Sequence, residues 1–311
     1  MANEIHPQFP PIFLGGPTAA GKSAVALALA ERIGGEIISV DSMQVYRGLD
    51  IGTGKPGPAE LGRARHHLID VAGLEESFDA AQFVRLAAAA AAEIQSRRHV
   101  PIFCGGTGFY FKAYREGLGE APPADAALRA ELEAQPLAAL LAELEKSDPV
   151  TFQRIDRQNP RRVIRAVEVI RLTGRPFSAQ RARWEGAGSG AAGDFFGLTR
   201  PAGELRERIA RRVEEMFAKG LVAETQSLLA RGLEHNQTAR QALGYRQVLE
   251  HLRGRRALPE TMELVKIRTR QFAKRQLTWF RRQLRLEWLS LEGQSPEAAA
   301  AKLAAKRAGK T

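Results

Sequence analysis

Residues Gly16 to Ser23 read G-P-T-A-A-G-K-S, a full match to the phosphate-loop pattern G-x-x-x-x-G-K-[ST]. Such a loop wraps a phosphate chain in backbone N–H groups and sets it on a helix N-terminus. The candidate phosphate-holding positions are therefore Gly16, Pro17, Thr18, Ala19, Ala20, Gly21, Lys22 and Ser23. Lys22 adds a point charge, and the Ser23 hydroxyl suits a Mg2+ ion riding on the phosphates. A nucleotide-cleaving enzyme also needs an acidic residue at the end of a later strand, to hold the metal or position water. The best later strand ends F-C-G-G-T-G at residues 103–108, with no carboxylate, and the well-placed strand-end acid is Asp41. A phosphate loop without the usual hydrolytic acid points to phosphates that depart as a leaving group.

The surrounding pattern must bring these residues together. P-I-F-L-G-G (11–16) is a short apolar run before the loop, and an Ala/Leu-rich helix follows from Lys22 to about Ile33. E-I-I-S-V-D-S (36–42) is a second buried strand with Asp41 at its carboxyl end, and R-H-H-L-I-D-V (65–71) a third. Residues 78–98 form an alanine-rich helix, and V-P-I-F-C-G-G-T-G-F-Y-F (100–111) is a strand, a glycine turn and a helix start. Strands alternating with helices predict a parallel α/β sheet, whose ligands sit at the carboxyl ends of its strands. That edge collects the phosphate loop, Asp41 and Gly105–Thr107. The expected fold class is α/β: a P-loop NTPase-like parallel sheet core with a helical insertion domain and a helical C-terminal region. The predicted boundaries are 1–114 for the first part of the core and 115–195 for the insertion. Residues 196–311 return to the core and add basic helices. Residues 184–194 (W-E-G-A-G-S-G-A-A-G-D) read as a linker, Phe195–Leu198 as a late strand, Met262–Leu284 as a long helix, and the last residues as a fraying tail.

Of the 311 residues 44% are apolar, enough for a sizeable core, and none of the apolar runs has the length of a membrane span. No signal peptide is apparent at the start. The single cysteine, Cys104, excludes an internal disulfide and reads as a small buried hydrophobe in a cytoplasmic protein. The net charge of +11 is unevenly placed: residues 1–150 carry 13 Lys and Arg against 19 Asp and Glu, whereas residues 151–311 carry 33 against 16. An acidic first half joined to a basic second half suggests that the second half meets a polyanion. The alternative is a solvated, solubilising surface.

The segments GPTAAGKS, ISVDSMQVYRGLDIGTGKP, HHLID, GGTGFY, NPRRVIRAVEV, LGYRQ and RTRQFAKRQLTWFR occur in this order. Together they closely resemble the tRNA dimethylallyltransferase family, from about Pro11 to Trp288. The resemblance implies that the loop holds the diphosphate of dimethylallyl diphosphate, with Mg2+ as cofactor and no consumption of ATP. The acceptor it implies is the exocyclic amine of the adenosine next to the anticodon, in tRNAs that read codons starting with U. Asp41 matches the family's general base, and Thr107 the threonine near the amine and the diphosphate. Lys22 and a supporting arginine, Arg212 or Arg208, would stabilise the departing charge. Asp41, Ser42, Met43 and Gln44 match the segment that contacts the target nucleotide, which must be flipped out of its stack. Arg161, Arg162 and Arg165 match one RNA-contacting cluster, and Gln241, Gly244, Tyr245 and Arg246 lie in another. Gly54 stands where alanine is commoner in the family, a change expected to be harmless. The partners implied are tRNA, through its anticodon stem-loop, and dimethylallyl diphosphate, with no membrane and with the enzyme acting as a monomer.

Other readings stand beside these. Asp41 could simply cap the turn after its strand, and Arg161, Arg162 and Arg165 could be a solvated helix face. On the long helix Val265, Phe272, Ala273, Trp279, Phe280 and Leu284 share one arc and read as core. Rival functions are a kinase of the same fold, a prenyltransferase acting on free AMP or ADP, and a non-catalytic RNA-binding protein. The basic second half argues against the second rival, and intact Lys22, Ser23, Asp41 and Thr107 against the third.

Overall fold

The computed structural model describes residues 9–180 and 193–309, so residues 184–192 of the predicted linker lie outside the described part. The chain divides into two compact units, one of Met1–Arg115 with Ser189–Thr311 and one of Glu116–Gly188.

The first unit is built on six parallel strands: β1 (Ile12–Gly15), β2 (Gly35–Val40), β3 (His66–His67), β4 (Val100–Gly105), β5 (Asp194–Thr199) and β6 (Glu287–Ser290). Their order across the sheet is β3-β2-β4-β1-β5-β6. The four central strands are short apolar runs buried on both faces, as a parallel sheet covered by helices requires. Register decides where the chemistry lands. Gly15 of β1 and Val40 of β2 both pair with Gly105 of β4, so the chain leaves the three strands at one level. The residues that follow, Gly16, Asp41 and Gly106, therefore start from one edge. This is the α/β core with a phosphate loop that the strand and helix pattern predicts.

The helix Lys22–Ile33 lays Val25, Leu27 and Leu29 against β1 and β4, and glycines at its two ends, Gly21 and Gly34, take the left-handed conformation. Beside it packs the helix Pro296–Ala308, which buries Ala299, Ala300 and Leu303 in the same cluster. The tail expected to fray is thus an ordered helix through Ala308, because its small side chains let it sit close to the Ala-rich helix. Strand β6 was not foreseen: four residues directly after a basic helix carry too little pattern to separate from helix. The third predicted strand shrinks to two residues, and the long helix starts earlier than expected, at Leu258.

The second unit has its own core, with Leu132, Leu140, Leu144, Val163 and Val167 drawn from the helices Ala126–Glu133, Leu137–Ser147 and Pro160–Thr173. The fully buried carboxylate Glu168 accepts hydrogen bonds from the Arg129 and Arg165 guanidinium groups and from the Asp125 amide.

Candidate active site

The phosphate loop is shaped by contacts from far along the chain. Gly16 has φ 147°, and a Cβ there would fall 2.3 Å from the Leu198 carbonyl oxygen, so glycine alone lets β1 run into the loop beside β5. The loop carbonyls are taken up by arginines near and on the helix Ala202–Ala218. The Arg208 Nε donates to Ala19 O and the Arg200 Nε to Ala20 O, each at 2.9 Å. Arg200 is also paired with Glu204. The Lys22 ammonium donates to Pro17 O at 2.8 Å, and the Thr18 amide donates to Gln276 Oε1 at 2.8 Å. Burial pushes Lys22 down to about 8, with the Arg212 charge adding to the effect. Burial, with the Arg200 charge, also lowers Arg208. These are cations short of counter-charge, and an arriving phosphate chain would supply it.

Asp41 leaves the same edge one residue past β2. Its Oδ1 accepts from the Met43 amide at 2.8 Å and the Gln44 amide at 3.3 Å, so the turn-capping role is real. Its other oxygen has no hydrogen-bond partner among the described residues. Thr107, just past β4, accepts from the Ser42 amide at 3.1 Å and donates its own amide to Val40 O at 3.1 Å. A Cβ at Gly105 would fall 2.0 Å from Val40 O, so glycine permits this close join. The two turns are one stapled unit.

Arg212 completes the group. Its guanidinium donates to Thr53 O at 3.3 Å; burial lowers its pKa, and the nearby Asp41 charge offsets part of that. The candidates Lys22, Asp41, Thr107, Arg208 and Arg212 are thus gathered at one sheet edge, with Arg208 fixed on the loop and Arg212 held on the Thr53 carbonyl, where its charge acts on Asp41. Gly54 has φ 62°, and a Cβ there would fall 2.3 Å from Arg212 Nη2. The contact is with the far end of a flexible side chain, and the positive φ is one that glycine adopts without strain.

The arrangement can hold a diphosphate at the loop and a nucleophile at Asp41. The IPP transferase family model matches residues 44–283. The chain belongs to that family. It is 46% identical to tRNA dimethylallyltransferase 1 of Trichlorobacter lovleyi over 90% of this chain and 93% of the relative. The tRNA isopentenylpyrophosphate transferase of Bacillus halodurans superposes with a TM-score of 0.71 at 38% identity, covering 97% of this chain and 96% of that one. A eukaryotic dimethylallyltransferase acting on tRNA gives a TM-score of 0.81 at 25% identity, covering 95% of this chain and 77% of that one.

In this IPP transferase the residues assigned to RNA are less uniform than the sequence suggests. Ser42 and Met43 follow Asp41 in its turn, but the Gln44 side chain is engaged: it accepts from Ser39 Oγ at 2.8 Å and donates to the carbonyls of Thr53 and Gly54, each at 3.3 Å. Tyr245 is fully buried. Its hydroxyl donates to Glu224 at 2.5 Å and accepts from the Gly52 amide at 3.0 Å, while Glu224 also accepts from the Ile51 amide. Its side chain therefore braces the turn carrying Thr53 and Gly54, a correction to its assignment as an RNA contact. Gly244, also buried, starts the helix of Tyr245 with φ 91°. Gln241 accepts from Arg246 at 3.2 Å, and Arg246 is exposed. In the second unit Arg161 and Arg162 are exposed on the first turn of their helix, whereas Arg165 is spent on Glu168 at 2.7 Å. A buried carboxylate needs its cation, so Arg165 is primarily structural.

The long helix Leu258–Gln283 carries a further difference. Val265, Ala273, Phe280 and Leu284 are core, as expected, and Trp279 is half-buried against Gly108, but Phe272 is exposed under the Arg275 guanidinium. Lys274, Arg275, Trp279 and Arg282 line an open groove of about 530 Å³. Lys266 is paired with Glu214 and Glu263, and Arg281 lies over Trp288. Gln276, Glu224 and Ser39 were missed from sequence. A buried polar residue inside an amphipathic pattern looks like an ordinary break in it. No helix among the described residues is long and apolar enough to cross a membrane.

Proposed function

We propose that this enzyme transfers the dimethylallyl group of dimethylallyl diphosphate to the exocyclic amine of adenosine 37 in tRNAs that read codons starting with U, releasing diphosphate. The observation that carries this reading is the shared sheet edge. A cation-rich phosphate cradle and a carboxylate with one uncommitted oxygen start from the ends of β1 and β2, the two strands that flank β4, with the Arg212 charge acting on the carboxylate.

An adenine amine is a weak nucleophile because its lone pair is delocalised into the ring. Asp41 orients it and takes one of its protons as the nitrogen–carbon bond forms. Thr107 keeps the Asp41 turn in place and offers its hydroxyl beside it. The allylic carbon–oxygen bond breaks, and the electron pair leaves with the diphosphate. Lys22, the loop amides, Arg208 and Arg212 stabilise that charge. The target base is flipped out of the anticodon loop, at a cost on the order of a few kcal/mol because the loop is single-stranded. Ser42, Met43, Gln241 and Arg246, with Arg161 and Arg162 on the second unit, meet the anticodon stem-loop.

The donor set also fits Mg2+. The described residues hold no cluster of three His, Cys, Asp or Glu side chains that would bind a metal by itself. A Mg2+ that arrives on a diphosphate needs few protein ligands and keeps most of its waters. Ser23, exposed on the first turn of its helix, would be the protein ligand. Bound there, the ion would neutralise part of the diphosphate charge.

The test is to incubate the protein with dimethylallyl diphosphate, Mg2+ and unmodified tRNA, then weigh the digested nucleosides, with free AMP in a parallel reaction. A prenylated adenosine from tRNA and none from AMP is expected. Prenylated AMP, or transfer of phosphate from ATP without prenyl transfer, would overturn the reading. A monomeric, cytoplasmic enzyme is part of this proposal, and the mass in solution checks the first of these.

A further inference from the structure

We propose that Gln276 is a positioning residue that ties the phosphate cradle to the Asp41–Thr107 half of the site and so sets the distance over which the prenyl group moves. The proposal rests on the prenyl-transfer reading above.

Gln276 is buried on the long helix, 8% exposed. A buried side-chain amide is costly unless both of its ends are satisfied. Here the two ends go to two different loops. The Oε1 accepts from the Thr18 amide of the phosphate loop at 2.8 Å, and the Nε2 donates to Gly106 O at 3.0 Å, one residue before Thr107. Thr107 in turn holds the Ser42 amide beside Asp41. A short chain of hydrogen bonds thus runs from the cradle through Gln276 to the turn of the general base.

Three side chains of this helix press on glycines in or next to the same two loops. A Cβ at Gly106 would fall 2.3 Å from Gln276 Nε2, one at Gly108 2.1 Å from Trp279, and one at Gly15 2.7 Å from Phe280. Trp279 and Phe280 supply the contact surface, and Gln276 supplies the directional tie. A helix laid across both loops at van der Waals distance fixes their spacing. A misplacement of about 1 Å between reacting groups costs on the order of a hundredfold in rate.

Two variants test this. Gln276→Met keeps length and packing but makes neither hydrogen bond. The expected result is a kcat lowered by about tenfold or more, with the KM for each substrate within about threefold of wild type. Gln276→Glu can always accept from the Thr18 amide, but only its protonated form can donate to Gly106 O. Its kcat relative to wild type should rise as pH falls from about 8 to about 6, a range that burial makes accessible to a carboxyl. Division by the wild-type value removes the pH dependence that the two enzymes share. For Gln276→Met the same ratio should be flat. Amide hydrogen exchange at Thr18 gives a readout that needs no prenyl transfer, and Gln276→Met should speed it by at least about tenfold. A wild-type kcat in Gln276→Met, a pH-independent kcat ratio in Gln276→Glu, or unchanged Thr18 exchange would each overturn the role of Gln276. Absence of prenyl transfer by the wild-type protein would instead overturn the function proposed above and leave the exchange result to judge the tie.

Discussion

Strand β2 carries an acid at each end, and the two are treated in opposite ways. Glu36, at its amino end, is saturated. Arg97 donates to both its oxygens, at 3.0 and 2.8 Å, and the rings of His67 and His99 sit at 2.7 and 2.8 Å. Burial alone would raise its pKa, but these partners overcome that and hold it at about 2. Asp41, just past the carboxyl end, has one oxygen engaged by turn amides and one left over, among cations that burial has pushed down. The same sheet thus closes its charge balance at one edge and leaves it open at the other. The closed edge contributes to stability. On the function proposed above, the open edge would gain its missing negative charge from an arriving phosphate chain, the arrangement that electrostatic catalysis uses.

That contrast can be broken or sharpened experimentally. The largest effect is expected from Asp41→Asn, which keeps the acceptor for the Met43 and Gln44 amides but removes the base. Turnover should fall at least about a hundredfold, with tRNA affinity within a few-fold and the unfolding midpoint nearly unchanged. A near-normal rate would reduce Asp41 to its turn cap. Glu36→Gln should show the reverse, a loss on the order of 2 kcal/mol in denaturant unfolding with kcat almost unaffected.

The pH dependences of the two edges should also differ. Glu36 has a folded pKa below its ordinary value. Its contribution is therefore complete above the ordinary carboxyl range and is lost as pH falls towards about 2, which acid unfolding of wild type against Glu36→Gln would expose. Lys22 has its folded pKa lowered to about 8, and the cradle needs its charged form. Affinity for dimethylallyl diphosphate should weaken above about pH 8, by up to about tenfold per pH unit, and Lys22→Met should abolish that slope. The smallest effect concerns Gly54→Ala, whose methyl would displace the Arg212 guanidinium. A rise of about two- to fivefold in the KM for the diphosphate substrate is expected, of the order of one weakened charged hydrogen bond. An unchanged KM would mean that Arg212 swings aside without loss.

Much of this was legible in the sequence, and the parts that were not share a cause. The loop motif, the strand ending in Asp41 and the G-G-T-G turn are local patterns, and a parallel sheet obliges them to meet at one edge. The supports of that edge are long-range. Gln276 is 258 positions from Thr18, and Glu224 is 173 from Ile51, and nothing in the local sequence around either marks it as a brace. Tyr245 and Arg165 misled for the complementary reason: a tyrosine or arginine in an RNA-like motif looks the same whether it faces solvent or a buried carboxylate. Phe272 fits the helical arc of the core but sits at its margin, where the angle alone does not decide burial.

The central claim is that the loop grips a departing diphosphate while Asp41 receives the proton of the attacking amine. It is tested most directly by a crystal structure of the enzyme with an unreactive dimethylallyl diphosphate analogue and an unmodified anticodon stem-loop. The diphosphate is expected on the amides of Gly21, Lys22 and Ser23, and the adenine amine within hydrogen-bond distance of the uncommitted Asp41 oxygen. An adenine that enters the site with its amine out of reach of Asp41 would contradict it.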